Sequence, residues 1–443
     1  MDIPGKISLT EWSERFEKIP DEEIIKYRYY KNKDWGRYLQ PPATFYIYGA
    51  RELKRLKLDN SFAFLRMWGF VFNESERLFR ARQVGKKVIA VSGDLGTVPV
   101  IILAFPDAVP FYPECIWWTP FFNESKVLLE EAHHHGAPEA ACFSKAAIGA
   151  FSKMAYFPKP DLFFASTGAS CDDYSAALQI IEDLGFEIEW LEIPYRKGPD
   201  YPERAIGYLS TEYRRVYERM ADLVGKTGDL SSSIRRANRL RGMVLEIKRM
   251  VRDAPVAPIL ALEMMVVEFG NLYGYGDFDE WIDIVDMIYG TVKERVESGI
   301  GVLARDAVPI AWITPSADPY LLNLVEDLNL RVVETEYVIN QAMGLIDDDD
   351  PFQALARSFM QASLIGSTRE RVARIRRSAA AGKIKGAIIT TMIGASHCAM
   401  ETGLIEYWLK GIPVLTIDVP APFGITRQIK TRLEAFAETI RAR

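Results

Sequence analysis

The sequence predicts an α/β fold with two parallel-sheet domains, and three observations carry that prediction. Short β-branched runs that end in turn residues (KKVIAVSGD, PDLFFAS, KGAIITTM, PVLTIDVP) alternate with amphipathic stretches such as YSAALQIIEDLG. Alternation of that kind marks βαβ units. It stops near residue 200 and resumes near residue 301, and between those points apolar residues recur only at three-to-four spacing.

The elements follow in order. Residues 1–84 are rich in aromatic and charged side chains at plausible helical spacing and read as an N-terminal helical region without a strong strand pattern. Residues 85–199 form the first α/β domain. Its strands are KKVIAV, DAVPFYPE, PDLFFAS and FEIEWLEIPY, separated by stretches such as ACFSKAAIGAFSKM. Residues 200–300 form a helical segment in which Asp229 and Ser231 are candidate N-caps. Residues 301–443 return to α/β alternation: VPIAWITP, RVVETEY, KGAIITTM and PVLTIDVP as strands, with a last helix from about Thr426. Both α/β domains are expected to be Rossmann-like, and the second echoes the first in pattern without a residue-level repeat.

The length of 443 residues suits roughly three compact units. With 49% hydrophobic and 26% charged residues, the composition is that of a soluble globular protein. A net charge of −6 argues against a general nucleic-acid binder, which would carry a basic surplus. The N-terminal stretch lacks the basic and apolar regions of a signal peptide. No apolar run approaches the ~20 residues that span a bilayer. A cytoplasmic protein without membrane association is expected, and its four cysteines are then not structural disulfides.

Those cysteines are the chemically suggestive feature. Cys171 in TGASCDDYS and Cys398 in GASHCAM each follow the C-terminal end of a predicted strand, the edge where ligands gather in open parallel sheets. Cys142 opens a helix in PEAACFSK, and Cys115 follows a short strand in FYPECIWW. A helix N-terminus is expected to lower a thiol pKa and favour the thiolate that metals need. The alternative is that all four are small buried hydrophobes, since no CxxC pair or ferredoxin-type run is present. Other signals are weaker. VGKTG lacks the glycine that a phosphate-binding loop needs at position 220, which is Met220. His133, His134 and His135 are contiguous, so on a helix they point in three directions. The run DDDD at 347–350 reads as an exposed acidic loop. His397, beside Cys398, is open to either a structural or an acid–base role.

Several segments resemble the family of 2-hydroxyacyl-CoA dehydratases and ATP-dependent benzoyl-CoA reductases. The similarity is carried, in order, by GDLGTVPVIILAF with AVPFYPE, by ACFSKAAIGA, by FPKPDLFFASTGASCDDY, by GSTRERVARIRRSAAAGKIKGAIITTMIGASHC and by GIPVLTIDVPAPFGITRQIKTRLEAFAE. It covers the chain from about residue 85 to the C-terminus. The resemblance implies a heterodimeric core whose subunits each carry a [4Fe–4S] cluster on three cysteines, here Cys142, Cys171 and Cys398, in the cleft between the two α/β domains. It implies a homologous second core subunit and a separate ATP-hydrolysing iron–sulfur activator, in keeping with the missing phosphate-binding loop. It also implies a CoA-thioester substrate, reduced at its carbonyl by one electron to a ketyl radical anion. That radical either expels a β-hydroxyl or continues to ring reduction.

Two departures from the family pattern bear on the expectation. Cys115 matches none of the three family cysteines. As a fourth ligand it would close the open iron and make the chain a non-catalytic electron relay. The third motif reads SHCAMETG where many dehydratase subunits have Cys-Asp-Pro. Glu114, Asp172, His397 and Glu401 lie near the cysteines in sequence and are candidates for proton handling or for holding ligands in place. Arg427 and Lys430 are candidates for CoA contact. A metal-free ligand-binding protein with core thiols is the remaining reading. The substrate class, 2-hydroxyacyl or aromatic, is not encoded in these motifs.

Overall fold

A computed structural model of the chain describes residues 4–25, 56–113, 124–154, 156–167, 171–195, 201–313, 318–337, 344–347, 349–363, 365–392, 395, 400–419 and 426–442. Two short strands, β1 (Lys6–Ser8) and β2 (Lys57–Asp59), pair antiparallel near the N-terminus. The sequence carries no strong strand pattern there. Three-residue strands are too short to leave a period-2 signature, and tertiary pairing forms them instead.

The first four-stranded sheet contains β3 (Lys87–Val91), β4 (Ala108–Phe111), β5 (Leu162–Thr167) and β6 (Ile188–Glu192), in the order β4-β3-β5-β6 and wholly parallel. The second contains β7 (Val308–Ile313), β8 (Leu330–Glu336), β9 (Gly386–Met392) and β10 (Val414–Val419), in the order β10-β9-β7-β8 and again wholly parallel. Numbered within its own unit and read from the other edge, the second order is the same as the first: second strand, first, third, fourth. The echo seen in the sequence is therefore a repeated topology, and the α/β class with two parallel sheets holds. No helix among the described residues is long and apolar enough to cross a membrane.

Between the sheets lie the helices Glu203–Val224, Leu230–Asp253, Ala261–Tyr273 and Phe278–Ser298. Asp229 caps the second of these as expected, its carboxylate accepting from the Ser232 amide at 2.9 Å. Gly225 ends the first in the left-handed conformation, φ +76°, so the GKT tripeptide serves as a helix stop. Gly270 and Trp281 meet so closely that a Cβ on the glycine would fall 1.9 Å from the indole ring. Only glycine permits that approach.

One apolar core runs from the first sheet through these helices to one face of the second sheet. Along β7 the alternation of a strand decides which core each residue joins. Ile310 and Trp312 face the central helices, whereas Ala311 and Ile313 face a second cluster with Ile375, Ile389 and Ile405, under the helices Thr368–Ala381 and Thr402–Trp408.

The N-terminal hairpin is tied to this body by charge. Arg295 donates to both carboxylate oxygens of Asp59 at 2.6 and 2.9 Å and to the Pro258 carbonyl at 2.9 Å, with Asp59 fully buried. The Asp59 amide donates to Glu263 Oε1 at 3.0 Å. Lys6 reaches Glu326 at 3.3 Å, and Lys57 pairs with Asp327 at 2.8 Å on the helix Pro319–Asp327. Burial, reinforced by the nearby Asp59 charge, pushes the Glu263 carboxyl up to about 8.

Two measurements follow from this latch. Removing one partner of a buried, bidentate pair strands the other charge, so Asp59→Ala is expected to lower the unfolding free energy by about 3–5 kcal/mol in urea titrations. Glu263 holds its proton in the folded chain up to about pH 8, well above its ordinary value of 4.5. Its contribution to stability is complete below that ordinary value and is lost as pH rises towards about 8. Glu263→Gln should flatten the fall in stability across that window. An unchanged slope would show that other groups set it.

Candidate thiol site at the strand ends

The strand order places a crevice in each sheet. β3 and β5 are neighbours, but the connection from β3 leads to β4 on one side and β5 leads on to β6 on the other. Connections that diverge from adjacent parallel strands leave a gap beyond their C-terminal ends. β3 runs out at Val91 into the turn that carries Asp94, and β5 runs out at Thr167, four residues before Cys171. Cys171 is the N-cap residue of the helix Asp172–Asp183. Its carbonyl accepts from the Ser175 amide at 3.1 Å and the Ser175 hydroxyl at 3.0 Å. The same hydroxyl also lies 3.1 Å from the Ser166 carbonyl, which pins the helix start to the end of β5.

Cys142 reaches this place from the β4-to-β5 crossover, just ahead of the short helix Phe143–Lys145 and the helix Ala146–Lys153. The Cys142 amide lies near enough to the Asp173 carboxylate to favour its charged form, which brings the crossover close to the start of the next helix. Lys145 is buried and donates to the Pro138 and Glu139 carbonyls, each at 2.7 Å, which fixes the turn that presents the thiol. The ACFSK segment thus works as a unit, its lysine holding the loop that carries the buried cysteine.

Cys142 is 6% exposed and Cys171 half-buried, and the two thiols interact electrostatically. Burial raises the Cys142 thiol, with Ser144 and, more weakly, Lys145 pulling the other way. Burial and the neighbouring Cys142 raise Cys171 well above an ordinary thiol, despite the approach of the Tyr174 amide. The expected lowering by a helix N-terminus is therefore overturned in the metal-free chain. Desolvation and a second thiol outweigh the partial charge of one helix turn.

Asp94 belongs to this site too, although in the sequence it is only a turn residue after a strand. Ser166 donates to Asp94 Oδ2, while Oδ1 is enclosed and takes no hydrogen bond. The carboxylate is within electrostatic reach of Cys171 and of Tyr213, and Tyr213 shares a hydrogen bond with Thr97. Arg241, fully enclosed beyond Tyr213, donates to the Gly344 carbonyl at 2.8 Å and to Ser358 at 3.0 Å. A polar track thus leads from the thiols into the central helices and on to residues of the second unit. An aspartate two or three residues past a buried strand was its only sequence signal.

In the second unit β9 is flanked by β7 and β10, so it occupies the place that β5 has in the first. Cys398 follows β9 as Cys171 follows β5, but Cys398, His397, Cys115 and Glu114 lie outside the described residues. Glu401 is held on both oxygens, accepting from Thr368 at 2.6 Å and from Arg371. Arg371 is buried and also clasps Glu336, at the end of β8, with two bonds of 2.8 and 2.7 Å. Asp172 is exposed. Arg427 and Lys430 lie exposed on the last helix, Arg427–Arg441, with Lys430 3.9 Å from Glu434. His135 is tied to Ser152 at 2.8 Å, whereas His133 and His134 face solvent. Among the described residues no group of three or more His, Cys, Asp or Glu side chains converges as a metal site.

Fold and crevice together define a doubly wound α/β protein with paired thiols at a strand-end switch point. Residues 96–440 match the family model of the 2-hydroxyglutaryl-CoA dehydratase D-component, and the chain belongs to that family. Comparison with curated proteins returns no match.

The raised thiols give a direct test. In the folded, iron-free chain at mildly alkaline pH, iodoacetamide should alkylate Cys142 at least about tenfold more slowly than in the urea-unfolded chain, because the thiolate is the nucleophile. Mass spectrometry of the modified peptides reads the rate. Equal rates would mean that the crevice is open to water.

Proposed function

We propose that the chain is the iron–sulfur subunit of an activator-dependent enzyme that reduces a CoA thioester by one electron, with Cys142, Cys171 and Cys398 as cluster ligands. The observation that supports it most is the pairing of Cys142 and Cys171 beside a desolvated strand-end crevice. Two thiols from separate crossovers suit a thiolate-ligated cluster in kind, and burial suits the low potential that such chemistry needs. The matched family is one of dehydratases, which favours a 2-hydroxyacyl thioester.

When bound, a [4Fe–4S] cluster would supply a low-potential electron to the thioester carbonyl. The chain's own residues do the positioning. Lys145 holds the Cys142 turn, and Ser175 holds the start of the helix that presents Cys171. Leu95, Val91 and Ala165 are fully buried around the strand ends and exclude water from them. Asp94 places a carboxylate beside Cys171, with Oδ2 held by Ser166 and Oδ1 enclosed. Glu401, three residues past Cys398 in sequence and clamped by Arg371 and Thr368, suits a holding role beside the third cysteine motif. The proposed partners are a homologous second core subunit and an ATP-hydrolysing iron–sulfur activator, with no nucleic acid or membrane involved.

Anaerobic purification, iron and acid-labile sulfide analysis and EPR test the proposal on wild type, Cys171→Ser and Cys115→Ser. About four irons per chain are expected in wild type. Cys171→Ser should lose most of them and Cys115→Ser should keep them. A Cys115→Ser chain without iron would make Cys115 a ligand and turn the subunit into an electron relay. Iron-free wild type would overturn the cluster itself.

A further inference from the structure

A cavity of about 440 Å³ lies between the outer edge of β4 and the short helix Gly274–Asp277. Lys86, just before β3, and Pro106, just before β4, place it at the amino ends of the strands, whereas the thiol crevice lies beyond their carboxyl ends. All the residues that line it are among the described ones. An edge strand is open to pairing with another strand, but this edge is closed to one. Lys87 donates to the Asp107 carbonyl at 2.7 Å, so alternation turns the backbone of Ala108 and Pro110 away from β3. Pro110 has no N–H, and the Ala108 amide is taken by the Phe105 carbonyl at 2.9 Å. An extended peptide would find no donor along this edge of β4, which leaves a small molecule as the occupant.

The wall is basic on one side and apolar on the other. Arg77 and Arg80 reach it from the helix Glu74–Gln83, and Lys86 and Arg236 join them. These four cations meet two carboxylates, Asp277 and Asp279, which leaves a surplus of two positive charges. Asp277 is committed to capping the helix Phe278–Ser298, where it accepts from the Glu280 amide at 3.4 Å, and Asp279 pairs with Arg236. Two of the cations are held in place by aromatic rings. The Arg77 guanidinium lies 3.7 Å from the centre of the Phe70 ring and donates to the Phe70 carbonyl, and Arg236 lies 5.0 Å from the centre of Phe278. The Lys86 amide donates to the Ala81 carbonyl at 2.9 Å, which closes the helix end and brings Lys86 to the same cavity as Arg80. Cations ordered beforehand lose less freedom when a ligand arrives. Leu103, Phe105, Val109 and Phe278 supply the apolar side, with Tyr275 5.1 Å from Phe278, ring to ring.

Charge and size select the ligand. A surplus of two positive charges suits a dianion, and guanidinium forks match the oxygens of a phosphate group. A bare phosphate ion would leave most of the space empty, since about 300–1,000 Å³ is the range of sites for whole organic ligands. Aromatic walls favour a flat ring.

We infer that this cavity binds an aromatic phosphate ester of up to nucleotide size, its phosphate towards Arg77, Arg80 and Lys86 and its ring against Phe105 and Phe278. The site lies apart from the thiols and does not depend on the cluster reading. Binding makes and breaks no covalent bond.

Calorimetric titration of the full chain with phenyl phosphate, ADP and inorganic phosphate tests the assignment. Both esters should bind at least about tenfold more tightly than inorganic phosphate, and binding should weaken with salt. ADP ahead of phenyl phosphate makes the ligand a nucleotide, and the reverse order makes it a smaller aryl phosphate; either supports the site. Arg80→Glu and Lys86→Glu should each weaken ester binding about tenfold or more. Circular dichroism confirms the fold of each variant, and Arg80→Gln, at an exposed position, keeps the test open if a charge reversal misfolds. Hydrogen exchange should show protection at residues 80–87 and 274–279. No ester binding at millimolar concentration, inorganic phosphate binding as tightly as the esters, unaltered affinity in the variants, or protection at residues 91–97 and 171–175 instead would overturn the assignment.

Discussion

The pairing of a unit's third strand against its first governs the rest of this structure. Once β5 lies beside β3, and β9 beside β7, the connections on either side must part, and a crevice opens at the carboxyl ends of the strands. Short turns leaving those ends are the places in each sheet where backbone and side chains can face a ligand without breaking the ladder. Asp94 and Cys171 sit on such turns in the first unit, and the Cys398 motif follows the matching strand in the second. The repeated order gives the two units equivalent places for their functional segments.

What relates the units to each other is the central helical layer. Trp281 fills the space that Gly270 and Gly274 leave, and helix Leu230–Asp253 carries Arg241 out of the layer to the Gly344 carbonyl and Ser358. A guanidinium enclosed this completely is costly to desolvate, and its bonds offset that cost only in one arrangement of its neighbours. Tyr213, Thr97 and Asp94 continue the polar line towards the thiols. Polar groups placed this deep restrict how the helices can slide, which an apolar layer of the same volume would allow.

The sheets were legible because buried parallel strands write themselves as unbroken apolar runs, and PDLFFAS and KGAIITTM fall on β5 and β9. Asp229 was legible as a cap and Thr426 as the start of the last helix because the chemistry of a helix start is local. The hairpin of β1 and β2 was not, since a three-residue strand owes its existence to a partner some fifty residues away. Of the site, the cysteine positions could be read but their electrostatic state could not. Whether a helix end or burial controls a thiol depends on what packs against it. Asp94 was missed for the same reason: a turn aspartate is common, and only the fold puts this one beside Cys171.

The bond between Asp59 and Arg295 spans 236 residues of sequence. Read as a matter of synthesis, that separation is a delay. A ribosome adds about 5–20 residues each second, so on the order of ten seconds or more passes before Arg295 is made. Through that interval Asp59 is a charge without its counterpart, and the hairpin that carries it has no body to close upon. The N-terminal segment is thus among the first parts of the chain to leave the ribosome and among the last to find its place.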